Sequence, residues 1–503
     1  MCGIAGVFGR PDSRQVEKML YAMRWRGPDG QGVFADHRVT MGHNRLAILD
    51  LQTGSQPMGN ESGELWVAFN GEIYNYSFLR KELEAAGHTF RTRSDTEVLL
   101  HLYEDMGPGM VSRLDGMFAF ALYNGKELML ARDPHGIKPL YYAHDAEGAL
   151  YFASEIKVMV PFVDDVREFP GGYYFTTGGG FKPYCSLPAG PPDLDKPEEI
   201  LETLEEKLRL AVAKRLMADV PLGVFLSGGL DSSLIAAITR KLVKGELHSF
   251  GVGMPGSEDL ERSRQVAAYL GTIHHAFEYG PEEIAGILPR VIYLLESFDP
   301  ALVRSAIPCY FVSRMARQYV KVVLTGEGAD ELFAGYHSLK RLQGPELHAE
   351  LLAITANLHH TNLQRVDRMT MAHSLEGRVP FLDWDLTRFA FRLSPALKLR
   401  GETEKWILRR LAETYLPADI FNRRKEKFSL GTGTGQALAR LADGEISDLE
   451  FRRNRRLPDG GTFGSKEELL YYRIFCRHFP APVAAAVGRT RTISPGEFAS
   501  TAG

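Results

Sequence analysis

The sequence has little cysteine and no long apolar run, and both absences restrict the kind of protein it encodes. Its four cysteines in 503 residues are too few for a disulfide-stabilised scaffold, and no pair has zinc-site spacing. We therefore expect a reducing, cytoplasmic location in which Cys185, Cys309 and Cys476 are small buried side chains. No apolar segment approaches the roughly 18 residues that span a bilayer, and residues 1–10 lack the pattern of a secretory signal, so no membrane partner is expected.

An excess of charge of either sign is also missing. Lys and Arg number 59, and Asp and Glu number 63, which gives a net charge of −4. This balance argues against nucleic acid as a main partner and favours small-molecule substrates. Glycine, in contrast, is abundant at 50 residues, about a tenth of the chain. An excess over the usual ~7% predicts tight turns or backbone that lies close to ligands.

The length predicts roughly three domains at about 150 residues each, but the pattern along the chain indicates two. Residues 1–186 contain many short strands and few helices, which predicts an α+β domain with antiparallel sheets. Residues 187–197 are rich in Pro, Gly and Asp and form the predicted linker. In residues 198–479 helices alternate with apolar strands and then predominate, which predicts a parallel sheet with added helices. Residues 480–503 are expected to be a flexible tail.

Cys2 stands directly after Met1, a position that permits one particular chemistry. Removal of Met1 would leave a free α-amine, with a pKa near 7.7–8.0, on the residue that carries the thiol. The amine then serves as a local base for the thiol, which is the arrangement of an N-terminal nucleophile. Position alone does not distinguish this nucleophile from an incidental cysteine.

Six further segments place Cys2 in a family. They are residues 1–6 (MCGIAG), 26–29 (RGPD), 42–50 (GHNRLAILD), 56–58 (QPM), 70–75 (NGEIYN) and 94–97 (SDTE). In this order they resemble the class II glutamine amidotransferases of the asparagine synthetase type. The resemblance implies a glutaminase with an αββα, Ntn-hydrolase-type fold. The family commonly has His before the RGPD segment, where this chain has Trp25. The resemblance therefore does not determine how this loop closes over glutamine.

The residue types in these segments suit amide hydrolysis. Asn70 and the backbone N–H of Gly71 are suitable oxyanion donors, although Asn-Gly by itself is also typical of a hairpin turn. The planar fork of Arg45 suits the α-carboxylate of glutamine, and Glu72 and Asp95 suit its ammonium and amide groups. The family match also places the backbone of four residues along glutamine, namely Leu46, Ala47, Ile48 and Leu49.

A second motif, residues 226–233 (LSGGLDSS), follows a predicted strand and opens a helix. Its glycines let backbone N–H groups approach phosphate at a helix N-terminus, but it is not a Walker A loop. It resembles the pyrophosphate loop of ATP pyrophosphatases, which implies that ATP is cleaved to AMP and pyrophosphate. Asp231 would then be a Mg²⁺ ligand. The implied ATP-binding residues are Leu226, Ser227, Gly228, Gly229, Asp231, Ser232, Ser233 and Val252.

Residues 325–331 (TGEGADE) follow the apolar strand predicted at 322–324. They therefore lie at the carboxyl edge of a parallel sheet, where ligands bind in such folds. Asp330 is expected to join Asp231 on Mg²⁺. By the same resemblance, Thr325 and Gly326 contact the nucleotide, and Glu327 supports formation or capture of an acyl-adenylate.

Residues 296–305, 367–383 and 423–429 also resemble asparagine synthetases. Charge that develops on phosphate and acyl oxygen needs a cation, and Lys425 is the candidate. A solvated basic loop is the alternative, because Lys425 lies within a run of basic residues.

Two arginines are candidates for binding the carboxylate of the acceptor. Arg304 is the first, although the order Ser305-Ala306 beside it differs from the Ala-Ser order of well-matched members. Arg378 is the second, and it could equally be a structural ion-pair residue.

Together these patterns predict ATP-dependent conversion of aspartate to asparagine with ammonia from glutamine, through β-aspartyl-AMP, with ATP as substrate and Mg²⁺ as cofactor. The predicted partners are small molecules, with a homodimer as a compatible assembly. The alternative is a related glutamine-dependent amidotransferase that acts on another carboxylate acceptor. A glutaminase without synthetase activity is disfavoured by the complete loop at 227–233.

Overall fold

The computed structural model describes residues 2–423, 431–457, 460–480, 483 and 487, so Lys425 lies outside the described residues. The first part of the chain forms three helices, α1 (Ser13–Ala22), α2 (Tyr76–Ala86) and α3 (Glu97–Met106). It also forms twelve strands: β1 (Gly3–Phe8), β2 (Gly30–Ala35), β3 (Val39–Arg45), β4 (Met58–Gly59), β5 (Trp66–Ile73), β6 (Gly116–Tyr123), β7 (Leu128–Arg132), β8 (Tyr141–His144), β9 (Leu150–Ala153), β10 (Arg167–Glu168), β11 (Tyr173–Thr176) and β12 (Gly180–Pro183).

These strands form two six-stranded antiparallel sheets, ordered β10-β8-β9-β1-β3-β2 and β12-β11-β7-β6-β5-β4. Apolar side chains from both sheets, such as Ile4 and Ala119, share one buried cluster, so the sheets pack face to face. α1 packs outside the first sheet through Val16 and Leu20. α2 and α3 cover the outside of the second sheet. The predicted αββα layering is confirmed.

The second part of the chain forms a further set of strands: β13 (Leu222–Phe225), β14 (His248–Gly253), β15 (Ile273–Glu278), β16 (Val322–Leu324), β17 (Glu376–Arg378), β18 (Leu399–Arg400) and β19 (Thr403–Glu404). Its described helices are α4 (Pro197–Lys214), α5 (Leu230–Leu242), α6 (Glu258–Leu270), α7 (Pro281–Leu295), α8 (Pro300–Ala316), α9 (Ala329–Leu332), α10 (Gly344–Ala356), α11 (Asn362–Met371), α12 (Trp384–Arg392), α13 (Pro395–Lys398), α14 (Trp406–Ala412), α15 (Ala418–Phe421), α16 (Thr434–Glu445), α17 (Asp448–Arg453) and α18 (Lys466–Phe475). Short 3₁₀ turns lie at Arg24–Arg26, Gly107–Arg113, Ile156–Val158, His337–Arg341, Leu358–His360 and Pro380–Leu382.

Strands β13 to β17 form a parallel sheet in the order β15-β14-β13-β16-β17. α7 and α8 contribute to an apolar cluster on one face, and α4, α5 and α6 to a cluster on the other. The predicted parallel sheet with helices on both faces is confirmed. β17 was not predicted, because its Glu-Gly-Arg sequence carries none of the apolar pattern of a buried strand.

The connection between the two sheet systems lies against the second one. β12 ends at Pro183 and α4 begins at Pro197. The backbone N–H groups of Asp193 and Leu194 both donate to the carbonyl of Arg392, at 3.0 and 2.9 Å. We propose the domain boundary within this connection, where the linker was expected.

Two residues beyond Pro480 are described, and most of the predicted tail, residues 480–503, lies outside the described part of the chain. Val483 and Val487 are buried in the same cluster as Phe475 and Phe479, although a flexible tail was expected from residue 480. Cys476 is exposed, so the expectation of a buried side chain there is wrong, whereas Cys309 is buried. No helix among the described residues is both long and apolar enough to cross a membrane.

Candidate active site

Cys2 and Asn70 lie against each other between the two antiparallel sheets. The backbone N–H of Cys2 donates to Asn70 Oδ1 at 3.1 Å, and the thiol Sγ lies 4.0 Å from the carbonyl oxygen of Leu46. Burial raises the pKa of the Cys2 thiol. Asn70 is fully buried, and its Nδ2 has no hydrogen-bond partner among the described residues. This amide is therefore a donor that a ligand beside the thiol can use.

Asn70 and Gly71 lie in the middle of β5 and do not form a hairpin turn. They pair with Ala119 and Phe118 on β6. A Cβ atom on Gly71 would lie 2.1 Å from the carbonyl oxygen of Met117, so only glycine fits at this position. The Asn-Gly pair is thus held rigidly in a sheet, which excludes the turn as its explanation.

Residues 46–50, which directly follow β3, are held by contacts from several sides. The guanidinium of Arg45 donates to the carbonyls of Leu49, Asp50 and Leu51. The N–H of Ala47 donates to Asp29 Oδ2 at 2.9 Å, and the carbonyl of Ile48 accepts from the N–H of Asp219, which belongs to the second half of the chain. The loop that was predicted to hold glutamine is therefore ordered by both halves.

Glu72 and Asp95 meet in a buried group that the second half completes. Asp95 Oδ2 accepts the N–H of Ile73 at 2.8 Å. Burial and the charge of Glu376 raise the pKa of Asp95 to about 7, in spite of that hydrogen bond. Burial, followed by the charges of Glu376 and Asp95, also raises the pKa of Glu72. A positive charge beside these carboxyl groups would stabilise their ionised forms, and the ammonium group of a substrate would supply such a charge.

The RGPD segment joins the nucleophile to the second half of the chain. Arg26 is fully buried and donates through Nε to the carbonyl of Cys2 at 3.0 Å. Its terminal nitrogens donate to Asp367 on α11, at 2.8 and 3.1 Å, and to Glu155 at 3.0 Å. The carbonyl of Trp25 accepts from Ser374 Oγ at 2.7 Å. Trp25, which stands where the family commonly has His, thus lies at the contact between the two halves.

The predicted phosphate loop runs from the carboxyl end of β13 into α5. Gly228 has a φ of +71°, and a Cβ there would lie 2.5 Å from Arg262 Cβ. The hydroxyls of Ser227 and Ser232 lie 3.0 Å apart, and Ser232 Oγ also donates to the carbonyl of Gly229. The loop is therefore closed on itself at a helix N-terminus, which is suited to an anion. Leu226, Ser233 and, at the end of β14, Val252 are buried around it.

The loop after β16 packs directly onto this phosphate loop. A Cβ on Gly326 would lie 2.8 Å from the N of Ser232 and 2.9 Å from Asp231 Cβ. The ammonium of Lys405 lies 2.5 Å from Asp231 Oδ2 and 2.6 Å from Asp330 Oδ1. The two aspartates that were predicted to hold Mg²⁺ are therefore brought together. Thr325, at the start of this loop, is buried beside them.

Glu327 lies on the same loop and forms an ion pair with Arg365 on α11. Asp367, the partner of Arg26, lies on the same helix. One helix therefore contacts both candidate sites.

Comparison with known proteins adds to this geometry. Residues 1–169 match the family described as "Glutamine amidotransferase domain", and residues 203–346 and 340–494 match "Asparagine synthase". The chain is 38% identical to asparagine synthetase B [glutamine-hydrolyzing] of Escherichia coli K12, over 96% of this chain and 92% of that one. The chain belongs to the glutamine-hydrolysing asparagine synthetase family. Identity is 39% to a probable asparagine synthetase [glutamine-hydrolyzing] of Schizosaccharomyces pombe, over 97% of this chain and 95% of that one.

A plant member of the asparagine synthetase family gives a similar match. Asparagine synthetase [glutamine-hydrolyzing] 1 of Arabidopsis thaliana is 38% identical over 95% of this chain and 87% of its own. A solved structure titled as the allosteric regulatory enzyme of purine biosynthesis covers 55% of this chain and 80% of its own, with 19% identity and a TM-score of 0.34.

The two arginines predicted to bind the acceptor carboxylate both form ion pairs within the chain. Arg304 forms an ion pair with Glu467 on α18. Arg378 is fully buried, with Nε 2.6 Å from Glu376 and Nη1 donating to the carbonyls of Arg215 and Met217. Its remaining nitrogen lies 3.5 Å from Glu72. Arg378 thus lies in the contact between the two halves, and its role toward an acceptor stays a prediction.

Sequence analysis missed Lys405 and Arg365. Lys405 is buried with a φ of +54° and carries the cation that both aspartates contact. A single Lys in the charged stretch 402–405 gives no signal, because neither its left-handed backbone nor its burial follows from local pattern. Arg365 precedes the family-like segment 367–383 by two residues, and only its place on α11 brings it to Glu327.

Proposed function

We propose that this chain converts aspartate to asparagine with ammonia that it releases from glutamine, driven by ATP. Family membership supports the overall reaction. The observation that carries the glutaminase step is the buried Asn70 amide, which lies beside Cys2 with Nδ2 unsatisfied among the described residues.

In the proposed glutaminase step, the α-amine of Cys2, once Met1 is removed, takes the proton of the thiol. A local base is needed because burial raises the pKa of this thiol. The thiolate attacks the side-chain carboxamide of glutamine, and the oxyanion accepts from Asn70 Nδ2 and the N–H of Gly71. The α-ammonium group of Cys2 returns this proton to the amide nitrogen, so that ammonia leaves. Water then hydrolyses the γ-glutamyl thioester to glutamate and the free Cys2 thiol.

The groups around Cys2 would bind the α-ammonium and α-carboxylate groups of glutamine. Asp95 and Glu72 are buried carboxyl groups suited to its ammonium. Arg45 would bind its α-carboxylate, and the backbone of residues 46–49 would lie along it. In the structure the Arg45 guanidinium holds the carbonyl of Leu49, at the edge of that same loop.

In the proposed synthetase step, the β-carboxylate of aspartate attacks the α-phosphate of ATP, and pyrophosphate leaves. Ammonia then attacks the acyl carbon of β-aspartyl-AMP, and AMP leaves with the bonding electron pair. Glu327 would support this step, since it follows Gly326 in the loop that packs on the phosphate loop. Lys425 remains the predicted cation for the transition state, outside the described residues.

Asp231 and Asp330 fit the Mg²⁺ that this chemistry implies. Their carboxylates converge on one cation, Lys405 Nζ, so they already form a site that attracts positive charge. Carboxylate oxygens together with substrate phosphates are the usual ligands of Mg²⁺. The ion would neutralise charge on the phosphates when bound.

Ammonia has to pass between the two sites unprotonated, so we expect an apolar route. Leu46, Ile48 and Met117 of the first half belong to the same buried apolar cluster as Leu226 and Val379 of the second half. Apolar walls would disfavour ammonium ions and let neutral ammonia pass.

A panel assay tests the proposal. Purified protein with ATP, Mg²⁺, glutamine and individual carboxylic acids should make pyrophosphate and an amide only with aspartate. The position of Arg304, paired with Glu467, leaves the acceptor site without an assigned anchor. Amidation of another acid in place of aspartate would therefore support the alternative, a related amidotransferase. ADP and phosphate as products would contradict the adenylate.

A further inference from the structure

Two histidines and a glutamate meet on the outer layer of the first half, on the side of the second sheet that α2 and α3 cover. His88 follows Gly87, the C-cap residue of α2, and His101 and Glu104 lie on one face of α3, three residues apart. Glu104 Oε2 lies 3.3 Å from His88 Nδ1 and 2.8 Å from His101 Nδ1. The candidate ligand atoms of these residues all lie within 4.8 Å of one another.

We propose that His88, His101 and Glu104 bind a divalent transition-metal cation of the Zn²⁺ type. Ligands about 2.0–2.1 Å from a tetrahedral Zn²⁺ stand roughly 3.3 Å from each other, close to the separations found here. Imidazole ligands favour Zn²⁺ and its neighbours over Mg²⁺ or Ca²⁺. Three protein ligands leave a fourth position for water, and the part-exposed Glu104 gives access from solvent.

The surroundings of the three ligands are those of a metal-binding group. His88 Nε2 lies 3.0 Å from Asp105 Oδ1, on the far side of the ring from Nδ1. Asn60 Nδ2 donates to the other oxygen of Glu104 at 2.7 Å. Histidines that ligate a metal through one nitrogen almost always donate through the other to a carboxylate or carbonyl.

His101 provides an independent observation. Its side chain is 1% exposed, and Nε2 has no hydrogen-bond partner among the described residues. The nearest carboxylates to this nitrogen are Glu61, at 3.7 Å, and Glu97, at 3.9 Å. A cation bound to Nδ1 of His101 leaves the proton on Nε2, where it faces these carboxylates. The charge of the cation also offsets the negative charge of the carboxylates.

A second cluster of the same composition is less suited to a cation. Glu168 lies 2.9 Å from both His359 Nδ1 and His360 Nδ1. However, Arg132 Nη1 lies 2.6 Å from Glu168 and already neutralises it. The fixed guanidinium charge would repel a metal ion, so this cluster serves as the internal comparison.

A cation at the proposed site would join the end of α2 to α3. It would therefore stabilise the outer helical layer of the first half, because it binds the folded chain and not the unfolded one. The site does not use Cys2, the phosphate loop or the Mg²⁺ carboxylates, so it is independent of the proposed function.

Calorimetric titration of the full chain with Zn²⁺, in excess Mg²⁺ and without ATP, tests the site. We expect about one Zn²⁺ per chain and a Tm that rises with Zn²⁺. His88→Gln and Glu104→Gln should each weaken binding by about 100-fold, and Asp105→Asn by about 10-fold, since loss of an outer-shell partner costs 10–100-fold in affinity. His360→Gln and Cys2→Ser should bind Zn²⁺ as the parent does.

Co²⁺ provides a second readout, since histidine and carboxylate ligands should give visible bands without thiolate charge transfer. Two variants at part-exposed positions, His88→Gln and Glu104→Gln, guard against loss of folding in either one. No stoichiometric Zn²⁺ binding, or binding that survives both variants, would overturn the proposal. Binding that is lost only in His360→Gln or Cys2→Ser would also overturn it.

Discussion

The guanidinium of Arg26 donates two hydrogen bonds to the carboxylate of Asp367, which lies 341 residues further along the chain. The same guanidinium donates to the carbonyl of Cys2. The nucleophile and α11 are thus joined through one fully buried side chain. α11 also carries Arg365, the partner of Glu327. The Arg26–Asp367 pair therefore links the two candidate sites through α11.

Asp367→Asn should therefore impair coupling more than either half-reaction. Removing the Asp367 charge leaves the buried Arg26 with Glu155 as its remaining carboxylate partner, and we expect a loss of up to about 3–5 kcal/mol in unfolding free energy. Glutamine-dependent synthesis should fall further than ammonia-dependent synthesis when both are measured below the lowered Tm. Asp385→Asn, at a half-exposed pair with Arg388, is the control and should change stability by less than about 0.5 kcal/mol. Equal loss of the two syntheses would contradict the coupling role.

Asn70→Ala should reduce the glutaminase rate while it spares ammonia-dependent synthesis. Loss of one oxyanion donor costs about 10²–10³-fold in kcat. Cys2→Ala should abolish glutamine use altogether and also keep ammonia-dependent synthesis. Cys476→Ala, at an exposed cysteine, is the matched control and should behave as the parent. If Asn70→Ala loses ammonia-dependent activity to the same degree, the side chain acts through the fold and not on the oxyanion.

The raised pKa of Asp95, about 7, predicts a pH-dependent KM for glutamine. Below pH 7 the carboxyl group is neutral and no longer attracts the substrate ammonium, so KM should rise by up to about tenfold per pH unit. Asp95→Asn should have a high KM that no longer varies through this transition. A parent KM that is flat between pH 6 and about 8 would contradict the assignment.

The same shift in the pKa of Asp95 has the opposite consequence for stability. Its pKa is raised on folding, so the folded state favours the protonated form. The contribution of Asp95 to stability should therefore decline as pH rises from about 4, the unfolded pKa, to about 7. Chemical unfolding of the parent and of Asp95→Asn across this range measures the difference.

Lys405→Met should inactivate synthesis and leave glutamine hydrolysis unchanged. Its ammonium holds Asp231 and Asp330 together, and without it the two carboxylates repel each other beside the phosphate loop. We expect at least about a 100-fold loss of pyrophosphate release, comparable to the loss of a preorganised charge in an active site. Lys340→Met, at a pair with Glu404, is the control. Glutamate release and pyrophosphate release, measured separately, distinguish the outcomes.

Local pattern was sufficient for the two sheet types of this protein, and the family resemblance supplied many of its candidate residues. Strand, loop and helix follow one another within 226–233, so glycine, serine and aspartate there indicated a phosphate loop without any knowledge of the fold. The antiparallel and parallel sheets followed from the lengths and spacing of apolar segments, whereas the αββα layering was implied by the family resemblance. β17 was not predicted, because a segment of three residues with two charges has no strand pattern. In the sheet these residues pair with β16.

Sequence therefore specifies which chemical groups are present and which backbone elements carry them. Which charged side chains form pairs depends on the tertiary structure. Arg378 and Arg304 had the right chemistry for an acceptor, yet the fold pairs them with Glu376 and Glu467. Lys405 had no signal, yet the fold places it between two aspartates. Periodicity and motifs report on neighbours a few residues away, whereas the partner of a buried charge is chosen by distance through space.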